Sequence, residues 1–324
     1  MIMTMVQAIN QALAQEMERD ARYLILGEDV GRDGGVFRVT EGLVDKFGPE
    51  RVIDTPLAES GGVGVAVGMT ALGLRPIVEI QFMGFIYPAF NQIVSHVARL
   101  RNRTRGRFPV PLTIRTPYGA GVKALEHHSE STEALFCQIP GLVVVAPSSP
   151  GDAKGLLISS LRSDDPVVFL EPTKLYRAEK QEVPEGLYEV PLGQAKIVRE
   201  GRDLSIVAWG AMIPVALAGA ARVEAEGVSA EVVDLRTLAP MDRETVIASV
   251  KKTGRAIVLH EAPKTCGLGA EIAALICERA LLSLSAPVIR VAAPDITVPL
   301  PKSEDYYYPN TERLLRAIRG IMEF

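Results

Sequence analysis

Four runs decide the fold: RPIVEIQF (75–82), PLTIRTP (111–117), LVVVAPS (142–148) and PVVFLEP (166–172). Each is apolar with little alternation. Strands of this kind are covered on both faces, as in a parallel sheet flanked by helices. The intervening segments supply those helices. SGGVGVAVGMTALG (60–73) reads as a helix of small residues. Residues 89–104 place Ile93, Val94, Val97 and Leu100 on one face, and a helix over 151–162 separates the last two runs. Upstream, Met5, Val6, Ile9, Leu13 and Met17 form a helical stripe over 4–18. YLILG (23–27) and RVIDTPL (51–57) read as strands.

Residues 178–202 change character, becoming rich in Glu, Lys, Pro and Gly, with a linker around 180–190. The alternation then restarts. LSIVAW (204–209), AEVVDLRTL (230–238), RAIVLHEA (255–262) and VIRVAAPD (288–295) read as strands. Helices follow from Pro214, near 242–252, over 269–284 and over 311–322. The expectation is an α/β chain of two doubly wound sheet domains, residues 1–185 and 190–324. A length of 324 residues fits two domains at about 150 each.

Composition narrows the function. With 48 % hydrophobic and 23 % charged residues the chain is not disordered, collagenous or a coiled coil. A net charge of −4 leaves no basic excess for sequence-independent nucleic-acid binding. The one basic run, five arginines from Arg99 to Arg107, ends a helix or meets an acidic partner chain. Cys137, Cys266 and Cys277 make no CxxC pair and no zinc spacing, which fits a reduced cytoplasmic compartment. No leader pattern precedes the first basic residue, Arg19. The uncharged stretch 204–221 reaches the roughly 18 residues of a membrane span, but Gly210 and Pro214 split it into strand, turn and helix. No membrane partner is expected.

Candidate site residues stand out at strand ends. Glu59 follows the strand 51–57 and precedes the helix beginning near Ser60. It is either a first-turn acid favoured by the helix dipole or a group facing a ligand, since ligands bind outside the carboxyl ends of open α/β sheets. Gly61, Gly62, Gly64 and Gly68 strip side chains from that helix, so another backbone or a flat ligand can approach closely. His127 and His128 lie in GAGVKALEHHSES (119–131), either in a solvated loop or as an acid/base at a site mouth. His260 and Glu261 follow the strand RAIVL, and His96 reads as structural. Phe82, Phe85 and Tyr87 form an aromatic group that packs in the core or stacks on a planar ring. There is no Walker-type GxxxxGK[ST], and GRDGG (31–35) is not GxGxxG, so this chain alone carries no phosphate motif. The absence of GxSxG argues against a serine hydrolase.

Six stretches together resemble a known family: LGEDVGRDGGVFRVTEGL (26–43), DTPLAESG (54–61), RPIVEIQFMGFIYPAFNQI (75–93), DAKGLLISSLRSDDPVVFLEP (152–172), AEVVDLRTLAP (230–240) and HEAP (260–263). They are similar to the beta subunit of the E1 component of 2-oxo acid dehydrogenase complexes, which are thiamine-diphosphate enzymes of the transketolase-like group. The resemblance covers essentially the whole chain. It implies a pyrimidine-binding domain followed by a transketolase-type C-terminal domain. It also implies that Glu59 faces the cofactor's aminopyrimidine and exchanges a proton with it. Leu57 would shape the cofactor's bend, Phe85 would pack on the pyrimidine, and His128 would be the active-site histidine. A structural potassium ion is implied at Leu112, Ser160, Leu161, Ser163 and Asp165, with Ser163 standing where Asp is frequent. The family's diphosphate and Mg²⁺ motif, GDG…N, is absent, so an alpha subunit must supply that half of the site. The implied assembly is an α2β2 heterotetramer. It would act on a 2-oxo acid and pass the acyl group to the lipoyl domain of an E2 acyltransferase, docking on the E2 subunit-binding domain. Pyruvate is the first expectation, with branched-chain 2-oxo acids second and acetoin third. A non-catalytic scaffold is the alternative of a different class.

Overall fold

The computed structural model describes residues 1–324. Seven strands form the first sheet, in the order Thr237–Ala239, Val143–Val145, Val167–Pro172, Thr113–Tyr118, Arg75–Glu79, Tyr23–Gly27 and Val52–Asp54. All neighbours run parallel except Thr237–Ala239, which pairs antiparallel with Val143–Val145. The second sheet has five strands, ordered Ile289–Ala293, Ala256–Pro263, Leu204–Ala208, Ala230–Asp234 and Lys196–Arg199, and only the last is antiparallel. The long apolar runs thus become parallel strands, as both-face burial requires.

The expected strand 230–238 is divided between the sheets. Its first half, Ala230–Asp234, stays in the five-stranded sheet, while Thr237–Ala239 crosses to the edge of the other. Arg236 makes the turn at φ 55°, held by its buried guanidinium on the Gln194 carbonyl at 2.9 Å and on Asp152 at 3.1 Å. One apolar cluster of 37 buried residues runs through both halves, joining Ile114, Val168 and Leu170 to Val207, Val233 and Val258. The outer faces of the sheets have separate cores, around the Met5–Arg19 and Pro150–Arg162 helices and around the Met212–Glu224 and Thr311–Met322 helices.

Three expected elements are shorter or broken. The strand expected over 51–57 stops at Asp54, whose carboxylate accepts the Gly31 N–H at 2.6 Å and the Arg32 N–H at 3.1 Å. The strand expected over 75–82 stops at Glu79, and a single turn, Met83–Phe85, follows. The helix expected over 89–104 divides into Tyr87–Gln92, a wide π-type turn Ile93–Val97, and Leu100–Arg103. His96 lies exposed on that wide turn rather than packed. The uncharged stretch after residue 204 is the strand Leu204–Ala208 and the helix Met212–Glu224, and no helix is long and apolar enough to cross a membrane. The segment near 180–190 is docked: Lys154, buried in the Pro150–Arg162 helix, donates to the carbonyls of Pro184, Glu185 and Gly186 at 2.7–3.0 Å.

Candidate active site

Four parallel strands end on the same edge of the seven-stranded sheet, and the candidate residues hang from those ends. Glu28 follows the strand Tyr23–Gly27 directly. Glu59 is the first residue of the helix Glu59–Ala71, next to its positive end, with no side-chain cap ahead of it. The two carboxylates are electrostatic neighbours: burial, and then the charge of Glu59, push the Glu28 carboxyl above its usual range. Glu59 is half-buried, and Leu57 beside it is 82 % exposed, so this edge opens outward as a face rather than an enclosed pocket.

The aromatic wall comes from the next strand. The Met83–Phe85 turn touches the Glu126–His128 turn so closely that only glycine fits at position 84. A Cβ there would lie 2.5 Å from the His127 carbonyl oxygen. This contact brings His128 edge-on to Phe82 and Phe85, with ring centroids 4.5 and 5.2 Å apart. Phe82 also meets Phe85 at 5.6 Å and Phe37 at 5.4 Å. The His128 Nδ1 is buried with no protein hydrogen-bond partner, whereas His127 is exposed and faces Glu130 at 3.7 Å. Phe85 and His128 are therefore in direct contact. Tyr87 turns away to donate its hydroxyl to Glu130.

His260 and Glu261 do not lie at a site mouth. They are buried inside the strand Ala256–Pro263. His260 stacks on Trp209 at 5.4 Å and 8°, and burial pushes it down to about 4, so it is neutral at pH 7. Glu261 points back at the loop after the strand Thr113–Tyr118, accepting the Ala120 N–H at 3.4 Å, and burial pushes it up to about 7.

Residue-type reasoning missed two features. Phe37, in the Gly-rich loop, packs against Phe82 and at 5.0 Å against Tyr176. Beneath it, Arg115 is buried between Glu79 at 2.8 Å and Glu171 at 2.7 Å, and Tyr176 donates to Glu171 at 2.5 Å. Burial raises the Glu79 carboxyl, against the opposing pull of Arg115. The available signal was a charged residue inside each of three largely apolar runs, Glu79, Arg115 and Glu171.

The residues expected to hold potassium do gather between the Pro150–Arg162 helix and the strands Thr113–Tyr118 and Val167–Pro172. Their carbonyls already accept protein donors. Leu161 takes the Tyr23 hydroxyl at 2.9 Å and Arg75 Nε at 3.1 Å, and Ser163 takes Arg75 Nη2 at 2.6 Å. Leu112 accepts the Val167 N–H at 2.9 Å, Ser160 the Ser163 N–H at 3.2 Å, and Asp165 the Ser163 hydroxyl at 2.9 Å. The Leu161 carbonyl thus has both lone pairs engaged, and the Ser160 carbonyl also accepts the Thr113 hydroxyl at 3.4 Å. No group of three or more His, Cys, Asp or Glu side chains could hold a metal ion.

Residues 2–179 match the transketolase pyrimidine-binding domain, and residues 193–314 match the transketolase C-terminal domain. The chain is 53 % identical over 322 residues to the pyruvate dehydrogenase E1 component subunit beta of Bacillus subtilis (strain 168), covering 99 % of each chain. It is 52 % identical over 320 residues to the protein of the same name from Acholeplasma laidlawii, covering 99 % of this chain and 98 % of that one. The chain belongs to the family of pyruvate dehydrogenase E1 beta subunits. That family is thiamine-diphosphate-dependent. The fold also superposes on a split-gene transketolase, described as an inactive beta4 tetramer, with a TM-score of 0.82 at 23 % identity, covering 99 % of this chain and 98 % of that one. The mixed sheets described above are thus a transketolase-like architecture.

Proposed function

We propose that this chain is the beta subunit of a pyruvate dehydrogenase E1, carrying the pyrimidine half of each thiamine-diphosphate site. The observation that carries the reading is the shared strand edge. There an acid at a helix start (Glu59), a half-buried aromatic ring (Phe85) backed by the buried Phe82, and a half-buried histidine with an unpartnered ring nitrogen (His128) follow the ends of neighbouring parallel strands. This set suits a flat heterocycle with a ring nitrogen. It does not suit a magnesium diphosphate, because no GDG motif and no carboxylate cluster is present. The alpha subunit would supply those groups and Mg²⁺.

When bound, thiamine diphosphate supplies a carbon nucleophile and an electron sink for decarboxylating a 2-oxo acid. The work of this chain is placement and proton exchange. Glu59 holds a carboxyl at the pyrimidine nitrogen, where a proton can pass in either direction. Glu28, whose carboxyl is raised by burial and then by the charge of Glu59, is its acidic neighbour at the strand end. Phe85 and Leu57 would hold the cofactor, Phe85 against the pyrimidine and Leu57 beside it. His128, held against Phe82 and Phe85, meets the incoming lipoyl group and donates a proton to it during acyl transfer. The remaining assignments are an α2β2 assembly, docking on an E2 acyltransferase through its subunit-binding and lipoyl domains, a cytoplasmic location, the domain division 1–185 and 190–324, and a structural potassium ion at Leu112, Ser160, Leu161, Ser163 and Asp165.

The test is co-expression with an alpha subunit carrying GDG…N, then steady-state assay with pyruvate, branched-chain 2-oxo acids and acetoin. Pyruvate should give the highest kcat/KM. A preference for a branched-chain acid would move the chain to that substrate. No turnover with any substrate, in a complex that retains cofactor, would favour the scaffold reading.

A further inference from the structure

The loop that carries His128 is held by the C-terminal half of the chain as well as by the Met83–Phe85 turn and Tyr87. It runs from the end of the strand Thr113–Tyr118 to the helix Glu133–Cys137. Its own side chains do little to fix it: Ser129 Oγ, Ser131 Oγ and Thr132 Oγ1 are buried without a hydrogen-bond partner. Residues more than 140 positions away supply three further holds. Tyr308, 4 % exposed, donates its hydroxyl to the carbonyl of Ser129, the residue after His128. Glu304 accepts the Gly121 N–H at 3.4 Å, and Glu261 accepts the Ala120 N–H at 3.4 Å. Tyr307 and Tyr308 pack with Ala120 and Ala293 in a small separate apolar cluster. Gly119, at φ 77°, lies so close to Glu261 that a Cβ would come within 2.5 Å of its carboxylate.

We infer that Tyr308 is a positioning residue for His128, setting the height of the Glu126–His128 turn against the Phe82 and Phe85 rings. This inference rests on the reading of His128 given above. Its physical basis is that a buried carbonyl without a donor is costly, so the Ser129 carbonyl keeps the loop registered to Tyr308. Burial, then the nearby Glu261 and Glu304, raise the Tyr308 phenol, which therefore stays a donor throughout the working pH range. The C-terminal half would thereby act on acyl transfer without touching substrate.

The experiment uses the assembled enzyme with its alpha subunit and compares Tyr308→Phe, Glu304→Gln and His128→Ala. Hydrogen exchange of residues 119–132 reports the hold. Acylation of a free lipoyl domain is compared with turnover on an artificial electron acceptor, which bypasses the lipoyl group. Tyr308→Phe should speed exchange about tenfold and slow lipoyl acylation about tenfold, with acceptor turnover within about twofold of wild type. Glu304→Gln keeps an acceptor for Gly121 and should leave both readouts unchanged. His128→Ala should slow acylation without speeding exchange. Exchange unchanged in Tyr308→Phe overturns the inference, as does faster exchange with acylation at the wild-type rate while His128→Ala slows it. If His128→Ala acylates normally, the assigned role of His128 fails, and the exchange measurement alone decides whether Tyr308 holds the loop.

Discussion

The ring of His128 stands edge-on to that of Phe82, centroids 4.5 Å apart and planes at 70°, while its Nδ1 is buried and takes no protein hydrogen bond. An imidazole so placed is held by packing against the Phe82 and Phe85 rings. No carboxylate fixes its tautomer through Nδ1, as one would in a triad.

Glu59→Gln conserves shape and removes the titratable proton. Turnover of the assembled enzyme should fall about 10²- to 10⁴-fold, the usual range for loss of an acid/base group, with the complex intact by sedimentation. Turnover within tenfold of wild type would show that Glu59 is only a first-turn helix acid.

Gly84→Ala should damage the site through the backbone. The added methyl would press on the His127 carbonyl oxygen and carbon, neither of which is a flexible side-chain end. Separating the two turns should lower the melting temperature by several degrees, as overpacking of about 1–3 kcal/mol does. It should also slow lipoyl acylation. A crystal structure of the variant with both turns in place would refute this.

The isolated chain should bind thiamine diphosphate and Mg²⁺ weakly or not at all, because neither a GDG motif nor a metal-binding carboxylate group is present. Titration calorimetry on the purified chain is the check, and micromolar or tighter affinity without a partner would contradict the half-site reading.

Gly68 probes the open face of the Glu59–Ala71 helix. A Cβ at Gly62 or Gly68 would meet nothing within 4 Å, so within this chain a larger residue costs no clash. Gly68→Leu should leave the isolated chain folded, or slightly steadier, since leucine gains up to about 1 kcal/mol of helix propensity over glycine. If this face packs on another subunit, assembly should weaken roughly ten- to hundredfold. A normal heterotetramer at nanomolar concentration would place the interface elsewhere.

Glu133 gives a pH dependence of opposite sign to most carboxylates. It is fully buried, neither oxygen has a hydrogen-bonding partner of good geometry, and burial pushes it up to about 7. A carboxyl with a raised folded-state value keeps its proton in the folded chain after the unfolded chain has lost it. Its stabilising effect is therefore full below about pH 4.5 and is lost as pH rises to about 7. Glu133→Gln should be more stable than wild type at pH 8 by on the order of 1–3 kcal/mol and close to it at pH 5, by urea denaturation. Equal stability gains at both pH values would dismiss titration as the cause. Asp234 and Glu261 share the same direction and value, whereas His260, depressed to about 4, has the opposite slope.

The apolar runs, the helical stripe over 4–18 and the strand-end position of Glu59 were readable because each depends on neighbours a few residues away. Burial on both faces leaves no alternation to hide, and an acid at a helix start needs only its own helix. The crossing of Thr237–Ala239 to the other sheet was not readable, since Thr and Leu suit either sheet and the buried guanidinium of Arg236 makes the choice. His260 stood near an apolar strand end just as Glu59 does, and only the stacked Trp209 and the close glycines 267 and 269 turn it inward. The Arg115 trio, the meeting of Phe37 with Phe82, and the Tyr308 hold on Ser129 join residues separated by as many as 179 positions. The chain's local periodicity specified which segments become strands and helices. Which side chains then share one sheet edge was decided by the order of the strands and the packing between the two sheets, because contact energy at that range depends on tertiary geometry and leaves no periodic trace in the sequence.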